Sequence, residues 1–114
     1  MMITINRSEV WWVDFNPSIG GEIQKTRPAV VISNNYSNNS LNRVQVIPIT
    51  SNIEKCFPCE VYIMVNSKKA KAMADQITTV SKKRLKNKIS LLTVSEMELI
   101  ERAIGIQLDL KNFK

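Results

Sequence analysis

The chain has 114 residues, 44% of them hydrophobic, which suffices for one compact core and leaves too little length for a second domain of ordinary size. It contains no histidine, no secretion signal and no apolar run near the roughly 20 residues that span a bilayer, so His-based catalysis, His-ligated metal centres and a membrane partner are excluded. The net charge of +6 points instead to an anionic partner, and the expectation is a single domain, residues 1–114, acting in the cytoplasm.

Residues 10–15, Val-Trp-Trp-Val-Asp-Phe, are strand formers. Adjacent strand residues face opposite ways, so at least one of Trp11 and Trp12 should enter the core, and packing is the first reading of both. Residues 16–26 form a loop with a proline start, a diglycine and hydrogen-bonding side chains, able to fold over a ligand. Residues 29–32, Ala-Val-Val-Ile, read as a strand buried on both faces, and the asparagine-rich residues 34–42 read as a mobile polar loop.

Residues 44–50 and 60–65 give two more strands, with Pro48 implying an edge, a bulge or a strand end, and residues 73–80 allow a fifth. Between them lies Cys56-Phe57-Pro58-Cys59, whose two cysteines cannot fill a tetrahedral zinc site alone and do not open a helix as a redox motif would. Free thiols are expected, with no metal and no cofactor. Residues 67–88 hold the charge excess: Lys68, Lys69, Lys71, Lys82, Lys83, Arg84, Lys86 and Lys88 stand against Asp75 alone. Such a cluster suits nucleic acid or an acidic protein, or simply a solvated lysine-rich surface. A closing helix is expected to open at Ser95 with Glu98 as its capping box, burying Met97, Ile100, Ile104 and Leu108 and allowing Glu98 to pair with Arg102.

The run Gly21-Glu22-Ile23-Gln24-Lys25-Thr26-Arg27-Pro28-Ala29-Val30-Val31-Ile32-Ser33 resembles the signature of the MazF/PemK toxins, in which an Arg-Pro pair precedes a buried strand. Residues 9–17 resemble that family's opening strand, 46–51 its strand ending in threonine, and 75–80 its Asp-Gln strand, with Thr78 where the family often carries arginine. Lys82-Lys83-Arg84-Leu85 and the closing helix follow in order, so the likeness covers residues 5–110.

The resemblance implies a mainly β fold with a C-terminal helix, an SH3-like barrel of the CcdB/PemK type, assembled as a homodimer. It implies a sequence-selective endoribonuclease that cuts single-stranded RNA and is inhibited by an acidic antitoxin protein. It places Arg27 and Thr50 at the scissile phosphate. Their chemistry agrees, since arginine's planar fork suits two phosphate oxygens and a threonine hydroxyl adds one hydrogen bond, together able to replace a metal. Without the motif, Arg27 reads as an ordinary exposed arginine and Thr50 as a strand terminator.

Arginine is a poor proton acceptor, so Glu22, in the same loop as Arg27, is the candidate general base or orienting residue. Phe15 is the candidate base-stacking platform, and the Gln76 amide is a candidate base reader or a satisfied strand glutamine. Pro17, Gly21, Lys25 and Ser51, from the same motifs, complete the candidate RNA contacts. Two alternatives stay open: a related toxin that binds a protein such as gyrase, and an RNA-binding barrel without catalysis.

Overall fold

The structure is a computed structural model that describes residues 3–17, 19–22 and 25–111. Ser18, Ile23 and Gln24, which belong to the quoted motifs, lie outside the described residues, as do both chain ends. Strand β1 (Glu9–Asp14) pairs antiparallel with β2 (Thr26–Val31) on one edge and with β7 (Leu85–Leu91) on the other. Strand β3 (Arg43–Thr50) pairs with β2 on one side. Its other edge is divided, residues 43–46 pairing with β6 (Thr78–Ser81) and residues 49–50 with β5 (Lys68–Met73), which in turn carries β4 (Glu60–Val65).

A 3-10 turn at Lys82–Arg84 carries the chain from β6 into β7, so the curved sheet closes on itself through a covalent connection. This is the expected mainly β, SH3-like arrangement with a C-terminal helix, α2 (Val94–Gln107).

Alternation explains the packing. Trp11, Val13, Ala29, Val31, Val44 and Val46 turn into one apolar core with Phe15, Val80 and Leu85. Val10, Val30, Ile47 and Ile49 turn the other way, into a second core shared with Val61, Ile63, Ala72 and the helix residues Met97, Ile100 and Ala103. The sheet centre is thus buried on both faces, as the unbroken run at residues 29–32 foretold. Trp11 is buried, whereas Trp12 on the opposite face is 37% exposed. Pro48 is buried where β3 passes from β6 to β5, a handover that tolerates its missing N–H.

Several expectations need correction. The polar stretch at residues 34–42 is not a loose loop: it forms α1 (Asn35–Ser40), capped by the Asn34 side chain, which accepts from Ser37 N–H at 2.8 Å. Asn38 is 1% exposed and donates to the Ser33 carbonyl at 2.9 Å, so asparagine supplies local bonds that replace apolar burial. Residues 73–80 do not make one strand. β5 ends at Met73 and a 3-10 turn at Ala74–Gln76 redirects the chain to β6, because both strands must reach different parts of β3.

Neither β5 nor β7 shows a strand pattern in the sequence, because both are rich in lysine. β5 forms because Asn66 and Ser67 both adopt left-handed backbone, with φ of 49° and 68°, the geometry of a tight two-residue hairpin. Helix α2 opens two residues earlier than expected, at Thr93 with Glu96: Glu96 N–H donates to Thr93 Oγ1 at 3.1 Å and Thr93 N–H to Glu96 Oε1 at 2.9 Å. The true box uses the same Thr-x-x-Glu signal, and the second Glu96 oxygen accepts from Met64 N–H at 2.8 Å, docking the helix on β4. Leu108 falls past the helix end and is exposed, and among the described residues no ion pair joins Glu98 to Arg102.

One buried carboxylate ties β1 to its neighbours. Glu9 is 5% exposed and accepts from Asn6 N–H at 2.8 Å, from the Trp11 indole at 3.1 Å and from Lys88 Nζ at 3.2 Å. Burial pushes its pKa up, but the hydrogen bonds and the Lys88 charge outweigh burial and hold it below its ordinary value of 4.5. A depressed folded pKa gives stability that is present above the unfolded value and lost as pH falls through the folded one. Glu9→Gln should therefore lower the unfolding free energy at pH 7 by about 1–3 kcal/mol in urea titrations, and the difference from wild type should shrink below about pH 4.

Candidate nucleic-acid interface

The β1–β2 loop is fastened at both ends. Phe15 N–H donates to the Lys25 carbonyl and Lys25 N–H to Asn16 Oδ1, both at 3.0 Å. Arg84 donates to the Asp14 carbonyl at 2.9 Å and also to the Asn16 carbonyl, so a side chain counted in the basic cluster is spent on the loop's main chain. Gly20 turns the loop at φ +62°, where a side chain would be strained. Glu22 accepts from Ile19 N–H at 2.6 Å, and the Gly21 carbonyl accepts from the Gln76 amide at 3.4 Å.

This loop borders two depressions. One, of about 370 Å³, is walled by Trp12, Pro28, Ile49 and Ala70 and rimmed by Lys25, Arg27, Ser51, Lys68 and Lys69, with no carboxylate among the described residues of its lining. The other, of about 300 Å³, is lined by Phe15, Pro17, Glu22, Asp75, Gln76, Thr78, Thr79 and Arg84. The structure thus gathers Arg27, Lys25 and Ser51 in the first depression and places Phe15, Pro17, Glu22 and Gln76 in the second. Phe15 is 8% exposed and belongs mostly to the core, so it offers the depression an edge of its ring.

Thr50 ends β3 beside Ser51 and accepts from Asn52 N–H at 3.2 Å, which leaves its own O–H to donate. The β2–β3 register runs Val31↔Val46, Val30↔Ile47, Ala29↔Pro48, and continuing it by two residues sets Arg27 opposite Thr50. The two residues stand 23 apart in the chain and lie near the ends of neighbouring strands.

Trp12, Lys68 and Lys69 are additions that sequence reading did not assign to this site, although both lysines lay in the basic cluster. That cluster is not one patch. Lys71 is buried against Glu60, Lys88 pairs with Glu9, and Arg84 holds carbonyls; Lys68 and Lys69 stand at the rim, and Lys82, Lys83 and Lys86 lie at the β6–β7 turn. Cys56 and Cys59 are free thiols. Burial, with Asp75 and Glu60 nearby, pushes the Cys59 thiol up, so it stays protonated and a poor nucleophile at neutral pH. Among the described residues no three His, Cys, Asp or Glu side chains cluster to hold a metal, and no helix is long and apolar enough to cross a membrane.

Arg84→Met should free two loop carbonyls from a charged donor and lower the unfolding free energy by about 1–3 kcal/mol. Faster amide exchange in residues 15–25 than in β3 would locate the effect in the loop.

The model of the PemK-like, MazF-like toxins of type II toxin-antitoxin systems matches residues 6–108. The chain is 34% identical to endoribonuclease MazF9 of Mycobacterium tuberculosis, covering 93% of this chain and 98% of that protein. It is 35% identical to endoribonuclease MazF of Staphylococcus epidermidis, over 96% and 95% of the two chains. In fold it is similar to MazF from Deinococcus radiodurans, with a TM-score of 0.85 at 21% identity over 95% and 99% of the chains. It is also similar to a mycobacterial endoribonuclease solved in complex with its cognate antitoxin, with a TM-score of 0.77 at 24% identity over 93% and 96%. A family match over most of the chain, together with curated relatives of nearly equal length, places this protein in the PemK-like, MazF-like family of type II toxin-antitoxin toxins.

Proposed function

We propose that this toxin is a cytoplasmic endoribonuclease that cuts single-stranded RNA at short sequences, working as a homodimer restrained by an acidic antitoxin. The observation that carries this reading is the cationic rim of Lys25, Arg27, Lys68 and Lys69, with no carboxylate among its described lining residues, and with Thr50 coming opposite Arg27 when the β2–β3 register is continued beyond its last pair.

In this reading Arg27 places its guanidinium fork on two non-bridging oxygens of the scissile phosphate, and Thr50, its oxygen already accepting from Asn52, donates its hydroxyl hydrogen. The neighbouring 2′-hydroxyl attacks phosphorus and gives up its proton, the bond to the 5′-oxygen breaks, and that oxygen is protonated. The products are a 2′,3′-cyclic phosphate and a 5′-hydroxyl. No metal or cofactor takes part. Glu22 lines the neighbouring depression, and in this reading it takes the 2′-hydroxyl proton where the RNA strand crosses between the two. Phe15, Pro17, Gly21 and Gln76 contact bases on that side, and Lys25 and Ser51 hold the strand beside Arg27. An acidic antitoxin segment competes for the same cations; that a mycobacterial relative is solved in complex with its cognate antitoxin supports a protein partner.

The decisive test uses purified protein and an oligonucleotide with a single deoxynucleotide 5′ of the cut. It should bind nearly as well as RNA and remain whole. Arg27→Ala should slow cleavage by roughly 10² to 10³, and Thr50→Ala by a similar or smaller factor, with both variants folded. Normal cutting of the deoxy substrate, or full activity in Arg27→Ala, would refute the mechanism.

Charge at the rim makes a second claim. Lys68→Ala and Lys69→Ala should each weaken RNA binding and reduce the slope of log affinity against log salt by about 0.7, the value for one phosphate contact on a single strand. An unchanged slope in both would take the RNA path off this rim.

A further inference from the structure

We infer that Lys71 and Glu60, a buried ion pair beneath the β3–β4 loop, are positioning residues that set the hydroxyl of Thr50. The inference rests on the reading of Thr50 given above and adds the part of the fold that holds it.

Lys71 is the ladder partner of Thr50 on one side and of Tyr62 on the other, so the three side chains share one face of the sheet in a row across β3, β5 and β4. That face is the one opposite Ala70 and Ala72, which enter the core. A lysine there would ordinarily reach into water. Here residues 51–59 fold over it, leaving the side chains of Lys71 and Glu60 only 8% and 10% exposed.

The cover is tied down at successive points. Lys71 Nζ donates to Glu60 Oε1 at 2.9 Å and to the Lys55 carbonyl at 2.6 Å. The same Glu60 oxygen accepts from Phe57 N–H at 3.0 Å, and Tyr62 O–H donates to the Ile53 carbonyl at 2.9 Å. Upstream, Glu54 N–H donates to Asn52 Oδ1 at 3.2 Å, and Asn52 N–H donates to Thr50 Oγ1 at 3.2 Å. The path runs without a gap from the ion pair to the hydroxyl. Residues 51–58 are exposed, with few apolar contacts to fix them, so these polar ties determine the loop's conformation.

The test removes the pair without leaving a buried charge. Lys71→Met alone strands the Glu60 carboxylate, whereas Lys71→Met with Glu60→Met replaces both by apolar groups and should melt near wild type. Trypsin should cut after Lys55 about tenfold faster in the double variant, because the Lys55 carbonyl is no longer held. On RNA its kcat should fall roughly tenfold, the scale of a small misplacement, and adding Thr50→Ala should cost little more, because both changes act through one hydroxyl.

Tyr62→Phe, which deletes only the Ile53 tie, should show both effects more weakly and serves if the double variant does not fold. A folded double variant with wild-type kcat, or one whose loss multiplies in full with that of Thr50→Ala, overturns the inference while Arg27→Ala still reports on the chemistry. Wild-type protein that leaves RNA whole overturns both readings, and the trypsin result then stands as a fact about the loop alone.

Discussion

Strand β3 has neighbours along both edges, and its outer edge is shared between two strands that do not pair with each other. Residues 43–46 belong to the curved half with β6, and residues 49–50 to the β4–β5 half. Its side chains divide in the same way, Val44 and Val46 into one core and Ile47 and Ile49 into the other. The strand is therefore the seam of the molecule. Whatever stands at its end inherits the rigidity of two cores, and Thr50 stands there. Catalysis by positioned donors needs groups that do not reorganise as charge develops, and a strand end anchored in this way supplies that condition.

The loops around this strand end have little apolar surface to bury and are held by cations instead. Arg84 bonds two carbonyls of the β1–β2 loop, and Lys71 bonds one in the β3–β4 loop. A long cationic side chain suits the task because it reaches across a gap and satisfies main-chain oxygens that water would otherwise compete for. The basic residues thus divide into those that hold the protein's own carbonyls and those, such as Lys25, Lys68 and Lys69, that stand exposed at the rim of the first depression. Net charge alone does not distinguish these roles.

That distinction also explains what could be read from the sequence. Central strands such as Ala29-Val30-Val31 were legible because burial on both faces leaves an unbroken apolar run, whereas Arg27 and Thr50 stand out in the sequence only through the motif they resemble. The strand Lys68–Met73 was not, since three lysines in six residues obscure a core contribution made only by Ala70 and Ala72. The helix Asn35–Ser40 was hidden for a different reason: it is stabilised by asparagine caps and one buried asparagine, residues that usually signal a loop. Separation of Glu22 from Arg27 into different depressions was beyond sequence reading, because residues only five positions apart at a loop's end can face either way.

The two-residue turn at Asn66 and Ser67 has a reach that its size conceals. Side chains on a strand alternate with a period of two, so the turn's length alone determines which face each residue of β5 presents. With two residues, the alanines point inward and Lys69 and Lys71 outward, where Lys69 lies over the Tyr62 ring at 4.1 Å from its centre. One inserted residue that slipped the β4–β5 register would invert the strand and drive those lysines into the core. The hairpin's length is therefore part of what keeps the core apolar, although the turn itself contributes no side chain to it.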